Sequence, residues 1–184
     1  MEGDFKIMVF ILSDTHFNHS NIIKYCNRPF KSVDEMNDVI INNWNKVVGK
    51  DDIVFHLGDF FLGSKYDLKD IVSRLNGKIY LVRGNHDRLS IKSYEDFGIV
   101  VLKGVVILDE FRVVLSHKPL VDSIIKDDYI NIHGHIHDKR LEDIYDNDLY
   151  DCHRHINVSL DVLDFKPVLL ENLLKEDTDG LYNR

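Results

Sequence analysis

Ile7-Met8-Val9-Phe10-Ile11-Leu12-Ser13-Asp14-Thr15-His16 is the stretch on which the fold turns. Six apolar residues run without a break and give way at once to hydroxyl, carboxylate and imidazole side chains. The run is too short for a signal peptide core or a membrane span. Its unbroken apolar character predicts a strand buried on both faces, as in a sheet covered by helices. The same texture returns at Ile53 to Leu57 before Gly58-Asp59, and at Ile79 to Val82 before Arg83-Gly84-Asn85. Helical patterns lie between. Ser32, with Glu35 three residues on, opens a helix that carries Val33, Met36, Val39, Ile40, Trp44, Val47 and Val48 at helical spacing up to Gly49. A second runs from about Tyr66 to Leu75 and is closed by Asn76-Gly77. Strand, helix, strand, helix, strand predicts an α/β domain.

Past Phe97 the texture becomes strand-like: Ile99 to Leu102, Val105 to Leu108, Arg112 to Ser116, Tyr129 to His133, Ile156 to Leu160 and Val168 to Leu170. Short turns between most of these predict a second, more antiparallel sheet. Asp138 to Asp151 is charged and weakly periodic, which predicts a surface excursion, and the polar tail 175–184 is expected to fray. No repeat or linker divides the chain, so residues 1–184 are expected to form one domain.

Composition sets outer limits. In 184 residues, 44% hydrophobic content with 10 glycines and 3 prolines is that of a globular chain. Roughly 70% of the unfolded surface is buried at this length, so the core needs neither disulfide nor structural metal. Thirty-one acidic against 23 basic residues give a net charge of -8. That argues against an extended nucleic-acid surface and leaves room for a narrow nucleotide site. Cys26 and Cys152 form no CxxC spacing, which argues against a disulfide framework or a cysteine zinc site and favours a reducing cytoplasm. No membrane contact is expected.

Ligands gather at the carboxyl ends of strands in sheets of this kind. The first three strands deliver Asp14 and His16, Asp59, and Asn85 and His86 to that edge; later strands deliver His117, then His135 and His137. Alternation in Asp14-Thr15-His16 and His135-Ile136-His137 lets two side chains of an extended segment point the same way. A lone Asp-x-His is most often a turn with a surface histidine. Five such groups in order, with enough carboxylate, imidazole and carboxamide donors for two borderline divalent ions, are hard to produce from packing needs alone.

Asp14-Thr15-His16, Gly58-Asp59, Gly84-Asn85-His86-Asp87, Ser116-His117 and Gly134-His135-Ile136-His137 resemble the five signature blocks of the calcineurin-like metallophosphoesterases. Ser13 to Phe30 is further similar to small bacterial and phage phosphoesterases. The resemblance implies a sandwich of two β-sheets flanked by helices and two divalent transition metal ions, manganese foremost, with iron, zinc, cobalt or nickel as alternatives. It implies Asp14, His16 and His137 on one ion, Asn85, His117 and His135 on the other, and Asp59 bridging both. A bridging hydroxide then attacks phosphorus in line, and His86 protonates the leaving oxygen. Asn85 would also meet the substrate. Asp87 either orients His86 or caps the following helix.

One departure bears on substrate. Phosphoprotein phosphatases of this superfamily follow the bridging Gly-Asp with Asp-Arg-Gly, whereas this chain reads Phe60-Phe61-Leu62-Gly63. Leu62 cannot support a dianionic phosphate electrostatically, so a phosphodiester, including a nucleotide, is the expected substrate. A phosphomonoesterase and a non-catalytic scaffold of the same fold are the alternatives. Arg28 could hold a phosphate in its planar fork or merely end a surface helix before Pro29. His56 and His133 read as core histidines, and Asp151-Cys152-His153-Arg154-His155 as a charged loop rather than a third metal site.

Overall fold

The computed structural model describes residues 6–146 and 148–177. In chain order these form β1 (Val9–Leu12), α1 (Ser20–Tyr25), α2 (Val33–Val47), β2 (Ile53–His56), α3 (Lys65–Ser73), β3 (Lys78–Val82), α4 (Ile91–Glu95), β4 (Val100–Leu102), β5 (Val106–Leu108), β6 (Val113–Leu115), β7 (Ile130–His133), β8 (His155–Asn157), β9 (Val168–Leu169) and α5 (Leu170–Asp177). Five strands make one sheet in the order β4-β3-β2-β1-β9, and four make the other in the order β5-β6-β7-β8. Both are mixed sheets. The two-sheet α/β sandwich flanked by helices is thus the observed fold. Residues 178–184, most of the tail expected to fray, lie outside the described residues.

Local rules account for the helices. The Ser32 hydroxyl accepts the Glu35 amide at 3.1 Å and the Glu35 carboxylate accepts the Lys31 amide at 2.7 Å, so both ends of the first turn are tied. Met36, Ile40, Ile41 and Trp44 of α2 enter the core. Helix α3 starts one residue earlier than Tyr66 because Ser64 and Asp67 form a full capping box.

Two expectations need correction. The second sheet is not mainly antiparallel: only β5–β6 is, while β6–β7 and β7–β8 are parallel. The reason is that the β6–β7 and β7–β8 connections are long excursions, not tight turns. Residues 99–102 and 168–170 also leave that sheet, since β4 pairs with β3 in parallel and β9 lies antiparallel along β1. In addition, only β1 of the three opening strands is largely buried on both faces. In β2, Val54 and His56 are buried, whereas Phe55 is half-buried and rests against Tyr80 of the neighbouring strand at 5.5 Å between ring centres.

The two sheets meet where the first polar block begins. Ser13 N donates to Val158 O at 2.8 Å and Leu160 N to Ser13 O at 2.9 Å, joining the end of β1 to the end of β8. One continuous core, with Ile11, Leu81, Leu115, Ile132 and Ile156, spans both sheets. The carboxyl ends of β1, β2, β3, β6, β7 and β8 therefore converge on one edge of the sandwich.

Candidate metal centre

At that edge the backbone turns abruptly. Asp14 (φ 59°), His16 (50°), Asp59 (53°), His135 (72°) and His137 (53°) all adopt the left-handed conformation, which costs a residue with a Cβ and concentrates at functional sites. The adjoining glycines answer a different need. A Cβ on Gly84 would overlap Asp59 Oδ1 and N, and one on Gly134 would overlap Ser13 Oγ and Asp14 Oδ2. The glycine of each block leaves room for the carboxylate of another.

Asp14, His16 and His137 form one group and Asp59, His117 and His135 a second; within each, one potential ligand atom per residue lies within 4.8 Å of the others. His16 Nε2 is 3.8 Å from Asp14 Oδ1, and His137 Nε2 is 4.0 Å from the same oxygen. Asp59 Oδ2 stands between the groups, 3.6 Å from His16 Nε2 and 3.5 Å from His117 Nε2. Its other oxygen accepts the His86 amide at 2.8 Å. Asn85 joins the second group, its Oδ1 lying 3.1 Å from His117 Nε2.

The donor set fits divalent cations. Among the described residues, Asp14 Oδ1 and His16 Nε2 are buried without a hydrogen-bond partner, a costly arrangement that an ion between them would relieve. His117 donates Nδ1–H to the Leu57 carbonyl at 2.9 Å, so its Nε2 lone pair confronts the Asn85 oxygen. Burial pushes the Asp59 carboxyl upward, with Asp14 adding to the shift and His117 opposing it. Burial and neighbouring cations also hold His16 well below the usual imidazole range and His135 at about 4. Both imidazoles are thus neutral, as ligands must be.

His137 is different. Burial opposes its charge, but the bond from Nδ1 to Asp161 Oδ2 at 2.8 Å, with Cys26 and Asp14 nearby, outweighs burial and lifts it to about 10. Cys26, His137 and Asp161 also cluster within 4.8 Å. Arg28 already engages both Asp161 oxygens, at 2.8 and 3.0 Å, so its guanidinium supplies the positive charge there. The Asp151, Cys152 and His153 group, with Asp151 and His153 exposed, is a local turn in which Asp151 accepts the His153 amide at 3.0 Å.

His86 sits at the mouth, its side chain 37% exposed and Nε2 4.0 Å from Asp59 Oδ2. His19 stands beside it, with ring centres 5.8 Å apart, and its Nδ1 meets His16 Nδ1 at 3.3 Å. If His16 presents Nε2 as a ligand, its Nδ1–H donates to His19, which must then carry its own proton on Nε2. His19 was not identifiable as a site residue from sequence, because only the fold brings it against both rings.

Two expected roles change. Asp87 neither orients His86 nor caps α4, whose N-cap is Ser90. Its buried carboxylate instead accepts the amides of Asp59 (2.8 Å), Phe60 (2.9 Å) and Gly84 (2.8 Å) and the Tyr94 hydroxyl (3.3 Å). Asp87 therefore pins the loop that carries Asp59 to the loop that carries Asn85. Arg28 is likewise no surface residue: its side chain is fully buried, with donors spent on Asp161, Asp14 O and Thr15 O. Its Nε, Nη1 and Nη2 thus all donate to groups of the protein itself.

The core readings of His56 and His133 agree with their surroundings. Gly58 N donates to His56 Nδ1 at 3.2 Å, leaving Nε2–H for the Thr15 hydroxyl at 3.0 Å, which in turn donates to Phe60 O at 2.8 Å. His133 donates Nδ1–H to Gly134 O at 2.9 Å. Burial lowers His56 from 6.5 to about 3. An unfolded chain protonates this imidazole near 6.5 while the folded one resists until about 3, so folding stability falls as pH drops through that window. In the metal-free protein, the stability slope of His56→Phe between pH 6.5 and 4.5 should be shallower than wild type by up to about 1.4 kcal/mol per pH unit. Urea midpoints at several pH values measure this, and parallel slopes would refute a neutral buried His56.

Comparison with known proteins follows the same lines. The family profile described as calcineurin-like phosphoesterase matches residues 7–181. An uncharacterised protein of Methanocaldococcus jannaschii is 40% identical over 169 residues, covering 91% of this chain and 89% of that one. Among solved structures, a protein of unknown function from Aquifex aeolicus superposes with a TM-score of 0.70 at 28% identity, over 93% of this chain and 100% of that one. The Pseudomonas putida nuclease MPE gives a TM-score of 0.50 at 20% identity, over 70% and 61% of the two chains, a likeness of fold. With nearly the whole chain matched, this protein belongs to the calcineurin-like phosphoesterase family.

Proposed function

We propose that the protein hydrolyses a small phosphodiester, such as a nucleotide, at a dinuclear centre held by Asp14, His16 and His137 on one side and Asn85, His117 and His135 on the other. The observation that carries this reading is the place of Asp59 Oδ2, within 3.6 Å of His16 Nε2 and 3.5 Å of His117 Nε2, where one carboxylate oxygen can serve both groups. Two divalent transition ions, when bound, supply an activated water and neutralise phosphate charge. The chain's own part is orientation and proton transfer. Asp87 and the His86 amide hold Asp59, and His86, half-exposed beside it, is placed to give a proton to the departing oxygen.

Two features favour a diester. Leu62 stands where phosphoprotein phosphatases carry a charged residue, and Arg28, whose fork could have matched a dianionic phosphate, is turned inward and neutralised by Asp161. A diester bears one negative charge fewer and still needs its leaving alkoxide protonated. His19, beside His86 with ring centres 5.8 Å apart, offers a further donor to that group. Free Cys26 and Cys152 suit the reducing cytoplasm proposed as its location; among the described residues no helix is long and apolar enough to cross a membrane.

The test is kcat/KM for a matched aryl diester and monoester under identical manganese loading. The diester should be preferred by about tenfold or more, equivalent to about 1.4 kcal/mol. A clear monoester preference would move the assignment to a phosphomonoesterase, and no metal-dependent turnover of either ester to a scaffold.

A further inference from the structure

Arg28 and Asp161 are separated by 133 residues yet form a bidentate pair, Nε to Oδ1 at 2.8 Å and Nη2 to Oδ2 at 3.0 Å. The side chains are 0% and 5% exposed. A buried ion pair is weak evidence of stability by itself, because desolvation offsets much of the attraction. What each partner does with its remaining capacity is more telling. Arg28 Nη2 also donates to Asp14 O at 2.7 Å and Nη1 to Thr15 O at 3.0 Å, so one rigid guanidinium holds the backbone of the block that carries Asp14 and His16. Asp161 Oδ2 also accepts from His137 Nδ1 at 2.8 Å. That bond turns Nε2 of the same ring toward Asp14 Oδ1.

We propose that Arg28 and Asp161 are positioning residues that pre-form the Asp14, His16 and His137 group for its metal ion. The inference rests on the dinuclear reading above. It assigns a role to a segment which that reading leaves unused, the 3₁₀ turn at Leu160–Val162 that follows β8.

Three chain segments must be brought into register for this group: the loop after β1, the loop after β7, and the turn after β8. The guanidinium touches the first and third, and the Asp161 carboxylate joins the third to the second. Neighbours of Asp161 act in the same direction. Ser159 Oγ donates to Asp14 Oδ2 at 3.0 Å, and Asn157 Nδ2 donates to His137 O at 2.6 Å. Phe165 closes the outside, its ring centre 5.8 Å from Arg28 Cζ and 4.9 Å from the Phe30 ring. The Asp59, His117 and His135 group receives no hydrogen bond from this pair; His117 is oriented by the Leu57 carbonyl instead. The two ions should therefore respond differently when the pair is broken.

A carboxylate behind a ligating imidazole fixes the ring, sets its tautomer and raises its basicity, and its loss typically weakens metal binding about 10- to 100-fold. Asp161→Asn keeps the shape and removes the charge. Calorimetric titration of the metal-free protein with Mn²⁺, paired with elemental analysis, reads the two ions without reference to activity. Wild type should take up two ions. Asp161→Asn should retain one at wild-type affinity and bind the other about 10- to 100-fold more weakly.

Arg28→Lys serves as the second variant should Asp161→Asn fail to fold. A compact ammonium cannot span both Asp161 oxygens and two carbonyls, so the same single ion should weaken by several-fold. Two ions of unchanged affinity in the folded variant would overturn the proposal and leave the dinuclear reading standing. So would equal weakening of both ions in step with a lowered melting temperature, which is the signature of a purely structural pair. A wild-type protein that takes up no ion would overturn both readings.

Discussion

Replacing Asp59 by Asn should remove nearly all hydrolysis, with kcat/KM falling by at least about 10³-fold, while the metal-free protein stays folded. The size follows from charge. A carboxylate shared between two groups neutralises two cations at once, and charge stabilisation by bound metal supplies several kcal/mol at about 1.4 kcal/mol per tenfold in rate. Asn offers a carbonyl oxygen of similar shape with no charge to share. Its Oδ1 can still accept the His86 amide, and Asn tolerates the left-handed φ of 53° that this position requires. Burial already pushes the Asp59 carboxyl upward in the absence of a cation, so the neutral amide should leave the apo melting temperature unchanged or higher. Both ions should bind more weakly, in contrast to the single-ion effect expected at Asp161. A variant that keeps two tightly bound ions and near-wild-type turnover would exclude the bridging position.

His86→Ala should keep both ions and lose rate by about 10²- to 10⁴-fold on esters with poor leaving groups. The metal groups do not include this side chain, whose Nε2 is 4.0 Å from Asp59 and whose ring is partly exposed. Its backbone amide, which does support Asp59, survives the substitution. Activated aryl esters release an oxygen that needs no proton in the transition state, so their loss should be small. A plot of log(kcat/KM) against leaving-group pKa should steepen in the variant. Parallel lines for the two proteins would mean that His86 acts on the phosphate rather than on the departing oxygen.

The local half of this molecule was readable in advance. Periodicity located β1, β2, β3, α2 and α3 to within a few residues, because each is specified by its own apolar spacing and caps. The polar block after each strand marked Asp14, His16, Asp59, Asn85, His117, His135 and His137, and the structure brings all seven to one edge. Asp161 carries the same signal, a polar aspartate just past a strand at Asn157-Val158-Ser159-Leu160-Asp161, but it lies outside the resembling blocks and only its contact with His137 marks it. Sheet membership was less legible. Strands β4 and β9 are short and apolar on their own, and which sheet they join depends on neighbours far away in sequence.

What the amino-acid sequence determined by itself was the set of strand-end donors, since strand spacing and local turn chemistry alone place a carboxylate or imidazole just beyond an apolar run. Tertiary structure alone decided where Arg28 and Asp87 spend their charges. Arg28 stands at the end of a short helix and Asp87 beside His86 only in one dimension; in three, Arg28 faces Asp161 across 133 residues and Asp87 faces the Asp59 and Phe60 amides across 28 and 27. A buried charge must find its partners wherever the fold supplies them, and the free energy of leaving it unpaired, not its sequence neighbours, selects those partners.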